Sequence, residues 1–355
     1  MERFEHGGNV YEAPPEGGWM DFSANINPLG LAPVVREAIR SGIEGIVNYP
    51  DPAARALTEA ISRHYSIPAA NIILGNGATE IFYLFFHMVR PRRALIPVPA
   101  FNEYERSARS AKAEVKFLLL SAKDGFTPRI SGIIDEAREG DAVILGSPNN
   151  PTGRILTRKD TEVLAAGLKE KKVWLLIDES FLAFRKDRKQ HTAHGLESRY
   201  ENLLVIESLT KFYAIPGLRL GFASGGESMI LHLSEGKDVW NVNLLAQLAG
   251  TAALCETDYQ EETRNAIDQE AHWLYERLKG IAGIKPMAPS VNFFLLDIRG
   301  TGKESGEFVV LLKEKGILIR DCANYPGLAA GGYIRVAVRS RKENECLVQA
   351  LEACV

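Results

Sequence analysis

The segment Ser208-Leu209-Thr210-Lys211-Phe212-Tyr213-Ala214-Ile215-Pro216-Gly217-Leu218-Arg219-Leu220-Gly221 follows an apolar run and holds the residue types that imine chemistry needs. Ser208 and Thr210 supply hydroxyls beside Lys211, and Arg219 follows eight residues after the lysine. The amine can condense with an aldehyde while the hydroxyls and the guanidinium hold a phosphate on the same molecule. A solvated lysine in a turn would carry the same letters, so the weight falls on what the rest of the chain offers.

Three further segments stand at the C-terminal ends of expected strands, where α/β sheets place their ligands. Gly75-Asn76-Gly77-Ala78-Thr79-Glu80 turns a strand into a helix, and its glycines and free N–H groups at Gly77, Ala78 and Thr79 suit an anion. An ordinary tight turn reads equally well there. Ser147-Pro148-Asn149-Asn150-Pro151-Thr152-Gly153 brackets Asn150 with prolines that present its amide rigidly, or it is a turn and nothing more. Leu175-Leu176-Ile177-Asp178-Glu179 ends a buried run on an acid, which is costly without a cation. A protonated pyridine nitrogen would be such a cation, and so would an arginine.

These segments need a sheet to bring them together. Short β-branched runs alternate with amphipathic stretches, the pattern of a mostly parallel sheet with crossover helices. The expected strands are Ile72–Leu74, Ala94–Val98, Val115–Leu119, Ala142–Leu145, Val173–Ile177, Leu203–Ile206 and Leu220–Ala223. Helices are expected at Pro52–Tyr65, with Asp51 as N-cap before the proline, and at Arg158–Lys171. A long helical region is expected from Val239 to about Leu278, followed by strands at Val291–Ile298, Ile317–Ile319 and Tyr333–Val338 and a closing helix at Glu343–Ala353. The first 45 residues, rich in glycine, proline and asparagine, read as an irregular arm that packs over something.

Length and composition bound the rest. With 355 residues and 46% hydrophobic content the chain outgrows one compact domain, so a large domain over 46–240 and a smaller one over 241–355 are expected behind the 1–45 arm. A net charge of −3 with both signs mixed excludes the basic surface that nucleic acid requires. The start Met-Glu-Arg-Phe-Glu-His lacks a leader's basic and apolar stretches, and no apolar run reaches the ~18 residues of a membrane helix, so a cytoplasmic protein is expected. Cys255, Cys322, Cys346 and Cys354 lack metal-ligand spacing and read as free thiols, with no metal site expected. Cys322 lies in the polar string Arg320-Asp321-Cys322-Ala323-Asn324, but no adjacent base would activate it.

Taken together, Asn149-Asn150-Pro151-Thr152-Gly153, Asp178-Glu179 and Ser208-Leu209-Thr210-Lys211 with Arg219 resemble the fold-type I, aspartate-aminotransferase-like superfamily, over essentially the whole chain. The resemblance implies an α/β fold with a mostly parallel seven-stranded sheet, a smaller C-terminal α/β domain, and pyridoxal 5'-phosphate as cofactor. It implies Lys211 as the Schiff-base lysine, Asp178 at the ring nitrogen and Asn150 at the phenolic oxygen. Gly77, Ala78, Thr79, Ser208, Thr210 and Arg219 would surround the cofactor phosphate. Tyr104 would stack on the ring, with Phe101 as the alternative. It further implies a homodimer in which Tyr49, in Asn48-Tyr49-Pro50-Asp51, reaches the partner's phosphate.

Within that superfamily the chain is similar to the L-threonine-O-3-phosphate decarboxylases of cobalamin biosynthesis and to the histidinol-phosphate aminotransferases. His6-Gly7-Gly8-Asn9, the string from Asp21 through Asn25 to Gly30, Arg320 to Leu328 and Tyr333-Ile334-Arg335-Val336-Ala337-Val338-Arg339 resemble the decarboxylases more. By this resemblance Arg335 holds a substrate carboxylate, and His6 and Arg320 attend a substrate phosphate. Gly8, Asn25 and Asn150 would complete the pocket for a small phospho-amino acid. Phe181 stands where aminotransferases carry a tyrosine, which leaves Asn150 as the main donor to the phenolic oxygen. The expected reaction is phosphothreonine decarboxylation, with transamination to 2-oxoglutarate as the alternative. A non-catalytic protein that kept the fold is the third reading.

Overall fold

The computed structural model describes residues 6–355, and the expected arm is therefore described from His6 onward, its first five residues lying outside the described ones. That arm is more structured than its composition implies. A two-residue strand, β1 (Met20–Asp21), pairs in parallel with Ile317–Leu318, and Pro33–Gly42 forms a helix with proline in its first turn. Val35 and Ile39 lie four apart on the face that meets the Leu244–Cys255 helix, so the arm's second half is part of the core.

Seven strands make the main sheet: β2 (Ile72–Gly75), β3 (Arg93–Val98), β4 (Glu114–Leu119), β5 (Ala142–Gly146), β6 (Trp174–Asp178), β7 (Leu203–Ser208) and β8 (Gly221–Ser224). Their spatial order is β2-β8-β7-β6-β5-β3-β4. Pairs from β7 to β4 are parallel, while β8 runs antiparallel to both of its neighbours. Helices cover both faces, which is why the strands other than the half-exposed edge strand β4 are apolar at nearly every position. Leu176, Ile144 and Ile206 pack under the Ala78–Val89 helix, and Leu175, Ile177, Val143 and Val205 pack with Leu164 and Leu168 of Arg158–Glu170 on the other side. Thr157 caps that last helix through a reciprocal box with Asp160.

A second sheet, in the order β12-β13-β10-β9, is antiparallel throughout and is built from β9 (Lys285–Pro286), β10 (Phe293–Asp297), β12 (Arg320–Asp321) and β13 (Tyr333–Ala337). The partner of β1 is β11 (Ile317–Leu318). The closing helix is Arg341–Glu352.

Two helix expectations need correction. Asp51 does cap, accepting from the backbone N–H of Ala53 and Arg55, but Ala54 turns left-handed at φ 42°, so the helix starts at Arg55 rather than at Pro52. The long helical region from Val239 is two helices, Leu244–Cys255 and Thr257–Lys279, because Glu256 leaves helical geometry at ψ 77°. Among the described residues no helix is long and apolar enough to cross a membrane.

Candidate active site

Side chains alternate along β6 and β7, and that alternation sorts the residues at their ends. Asp178 shares a face with Leu176, and Ser208 shares the same face with Ile206. Asp178 is buried, and its carboxylate accepts from the Ser180 N–H at 2.9 Å and the Tyr104 hydroxyl at 2.6 Å. Those neutral donors hold the acid without neutralising it, so a cationic partner still has a place there.

Lys211 sits in a single helical turn, Leu209–Phe212, that Ser208 caps directly after β7. Its ammonium donates to Ser208 Oγ at 3.2 Å, and the Phe181 ring lies 5.9 Å away. Burial lowers the amine to about 8; Arg219 and Arg335 push the same way, and Asp178 opposes them. Lys211 lines one pocket with Ala78, Thr79, Phe101, Tyr104, Asn150, Asp178 and Phe181, so segments far apart in the chain do meet. A larger cleft of about 340 Å³, between Phe184–Asp187 and the Thr257–Lys279 helix, shares no residue with it, and its charges are spent on Arg185–Asp187 and Lys186–Asp268 pairs.

The anion cradle is built by glycine. Gly77 has φ +84°, and a methyl there would collide with the Arg219 guanidinium. On β8, a methyl at Gly221 would strike the backbone N of Ala78, so this glycine lets the N-terminus of the Ala78–Val89 helix come close to the sheet. The hydroxyls of Ser208 and Thr210 lie 2.7 Å apart at the same corner. Helix N–H groups, two hydroxyls and a guanidinium are the donor set a phosphate takes.

The second sheet supplies the opposite wall. Arg335 of β13 is buried, donating from Nη1 to Asn150 Oδ1 and from Nη2 to Ser23 O, each at 2.5 Å. Its Nε and the buried Oδ1 of Asn25 have no hydrogen-bond partner among the described residues. Arg320 of β12 is the direct cross-strand neighbour of Arg335, is buried as well, and donates to Asn324 at 2.8 Å. Like charges facing each other across a ladder are unfavourable unless an anion joins them. The Gly8 N–H donates to Ser23 Oγ at 2.7 Å, which links the arm to the same wall, and His6 pairs with Glu103 at 2.8 Å beside Phe101.

The structure bears on the two candidate ring aromatics and on Tyr49. Tyr104, expected to stack on the ring, is wholly buried and commits its hydroxyl to Asp178. Phe101, just outside the Asn102–Ser110 helix, lines the pocket too and is the less buried of the two. Tyr49, expected to reach a partner's site, is 78% exposed and stacks on Trp240 at 4.4 Å. Ser23 and Gly221 were missed as supports, although a glycine at the start of a strand beside a phosphate loop is a readable signal. Cys322 is buried with its thiol pushed up to about 12, as an inert thiol should be.

A family model described as aminotransferase class I and II matches residues 17–351. The chain belongs to that family. Among its class I and II relatives, a protein of Caldanaerobacter subterraneus subsp. tengcongensis is 38% identical over 352 residues, 99% of this chain and 94% of its own length. The threonine-phosphate decarboxylase of Salmonella typhimurium is 36% identical, covering 98% of this chain and 95% of that protein. The crystal structure of the histidinol-phosphate aminotransferase from Clostridium acetobutylicum superposes with a TM-score of 0.87 at 30% identity, over 94% of this chain and 98% of that one. The cofactor of this class I and II enzyme is pyridoxal 5'-phosphate. The residues fit it: a phosphate cradle that only glycine permits, an acid held by neutral donors, and a lysine with a depressed ammonium all line or border one pocket.

Proposed function

We propose that this enzyme decarboxylates L-threonine O-3-phosphate to (R)-1-amino-2-propanol O-phosphate, a step of cobalamin biosynthesis. The observation that carries the reading is the pair Arg320 and Arg335, buried and directly opposed on β12 and β13. Two such guanidinium groups suit a small substrate with two anionic ends, a carboxylate and a phosphate. Arg335 and Asn150 grip the carboxylate end, and Arg320 with His6 of the arm takes the phosphate end; Gly8 and Asn25 close the space between them.

Bound pyridoxal phosphate supplies an electron sink for the pair left at Cα when carbon dioxide departs. Asp178 keeps a proton on the ring nitrogen, which maintains that sink. Lys211 holds the cofactor, then returns a proton to Cα, a task suited to an amine near 8. Phe181 puts no hydroxyl beside Lys211, so Asn150 is the main donor at the phenolic oxygen. Phe101, which lines the pocket, would hold one side of the cofactor, and the arm would exclude water.

The same reading makes the protein a cytoplasmic homodimer with a large domain over 46–240 and a smaller one over 241–355. Exposed Ile46, Val47, Val239 and Trp240 surround Tyr49 and support a paired surface through which Tyr49 reaches the partner's cofactor phosphate. The four free cysteines suit a reducing compartment.

Purified enzyme incubated with phosphothreonine should release carbon dioxide without any 2-oxo acid. No release, together with 2-oxoglutarate-dependent turnover of histidinol phosphate, would replace decarboxylation by transamination. Phosphoserine differs by one methyl and should be a weaker substrate by about 1 to 3 kcal/mol.

A further inference from the structure

Behind the cofactor face three buried side chains converge that the reaction does not use. Alternation puts Glu179 and Glu207 on the sheet face opposite Asp178 and Ser208. Glu179 is fully buried and accepts from Thr192 Oγ1 at 2.7 Å and from the Ala193 N–H at 2.5 Å. His194 bonds Ser224 Oγ through Nδ1 at 2.8 Å, while Tyr65 edge-on and Phe222 face-on fix its ring. Its other nitrogen, Nε2, faces Glu207 Oε1 at 3.7 Å, beyond hydrogen-bond reach.

Two atoms here are stranded. Among the described residues His194 Nε2 and Glu207 Oε2 have no hydrogen-bond partner, although His194 is only 8% and Glu207 3% exposed. A cavity of about 150 Å³, lined by His64, Tyr65, Arg188, Thr192, His194 and Glu207, leads to them. One donor atom from each of Glu179, His194 and Glu207 falls within 4.8 Å of the others.

The local charges do not close on their own. Glu179, Glu197 and Glu207 are buried together. Arg158 uses Nη1 on the carbonyls of Thr192 and His194. Arg188 also faces the cavity, but it contacts the His64 ring nitrogen at 3.4 Å and the Tyr65 ring. His194 Nε2 and the Glu207 carboxylate thus face each other beside Glu179, and no donor among the described residues stands between them.

We propose that Glu179, His194 and Glu207 bind a divalent first-row metal ion of the Mn²⁺ or Zn²⁺ class in a structural site behind the cofactor. Imidazole plus carboxylate oxygen is the donor set of such ions rather than of alkali cations. Ligands each about 2.1 Å from an ion stand about 3.0 to 3.4 Å apart, so the His194–Glu207 separation of 3.7 Å needs to close by a few tenths of an ångström, and the widest separation in the trio, up to 4.8 Å, by about an ångström or more through side-chain rotation. Glu179 directly follows Asp178 and Glu207 directly precedes Ser208. An ion at this point ties the ends of β6 and β7 together and thereby sets the spacing between the acid at the ring nitrogen and the hydroxyl at the phosphate.

The test uses the holoenzyme. Mn²⁺ titration followed by electron paramagnetic resonance should give one tight equivalent per chain that Zn²⁺ displaces. His194→Ala and Glu207→Gln should each weaken it by about tenfold or more, while the cofactor's visible absorbance shows that the variants are folded. Anomalous scattering from crystals of the wild type soaked in Mn²⁺ needs no variant, and should show a peak within coordination distance of all three side chains. A water molecule there instead, or Mn²⁺ uptake equal in wild type and Glu207→Gln, overturns the proposal.

Discussion

Lys211 feels burial, two guanidinium groups and one carboxylate, and the first two outweigh the third. The neutral amine is the form that condenses with an aldehyde, so uptake of pyridoxal phosphate by the apoprotein should quicken as pH rises through about 8 and then level off. Asp178→Asn removes the one charge that favours the ammonium, and the midpoint should move to lower pH. Stopped-flow absorbance measures both; a midpoint that stays or rises in the variant contradicts this electrostatic account. Asn150, Asp178, Lys211 and Arg219 were readable as candidates because each is a special residue type at a strand end, where few roles compete. The choice between Phe101 and Tyr104 was not readable. Both are aromatic and three apart, and only the helix start at Asn102 turns Tyr104 beneath the site and leaves Phe101 beside it. The Glu179–His194–Glu207 cluster was equally hidden, since its members lie on separate segments with no motif spacing.

At the scale of elements, the strand-to-helix turn at Gly75–Ala78 decides how closely an anion can approach. Gly77→Ala places a methyl against Arg219 and forces a left-handed φ on an L-residue, a strain of about 1 to 3 kcal/mol. Equilibrium dialysis should show cofactor affinity falling roughly tenfold or more with little change in far-ultraviolet circular dichroism. Unchanged affinity would mean that the phosphate binds elsewhere. Six of the seven main strands were legible because buried strands are short, apolar and β-branched, and the edge strand β4 because Val115, Phe117, Leu118 and Leu119 still make an apolar run. The Pro33–Gly42 helix was obscured by the glycines, prolines and asparagines around it, though Pro33 at its start and the Val35–Ile39 spacing do mark it. The break at Glu256 has no proline or glycine to announce it.

For the whole molecule, the second sheet matters because it brings Arg320 and Arg335 to the C-terminal edge of the first, a meeting that no local pattern can display. One apolar cluster runs from the arm through the Leu244–Cys255 helix into the second sheet, so arm and pocket share a core. The exposed patch around Tyr49 is the remaining large-scale feature. Val47 is 84% exposed, and Val47→Asp should convert a dimer to a monomer by sedimentation equilibrium and weaken cofactor retention. A wild-type monomer that retains its cofactor would remove Tyr49 from the site.

The account rests most directly on the covalent attachment of pyridoxal phosphate at one lysine. Borohydride treatment of the holoenzyme, followed by proteolysis and mass spectrometry, should place a reduced pyridoxyl group on Lys211 alone, and the visible band should be absent from Lys211→Ala. A pyridoxyl group on any other lysine, or a band that survives in Lys211→Ala, would contradict it.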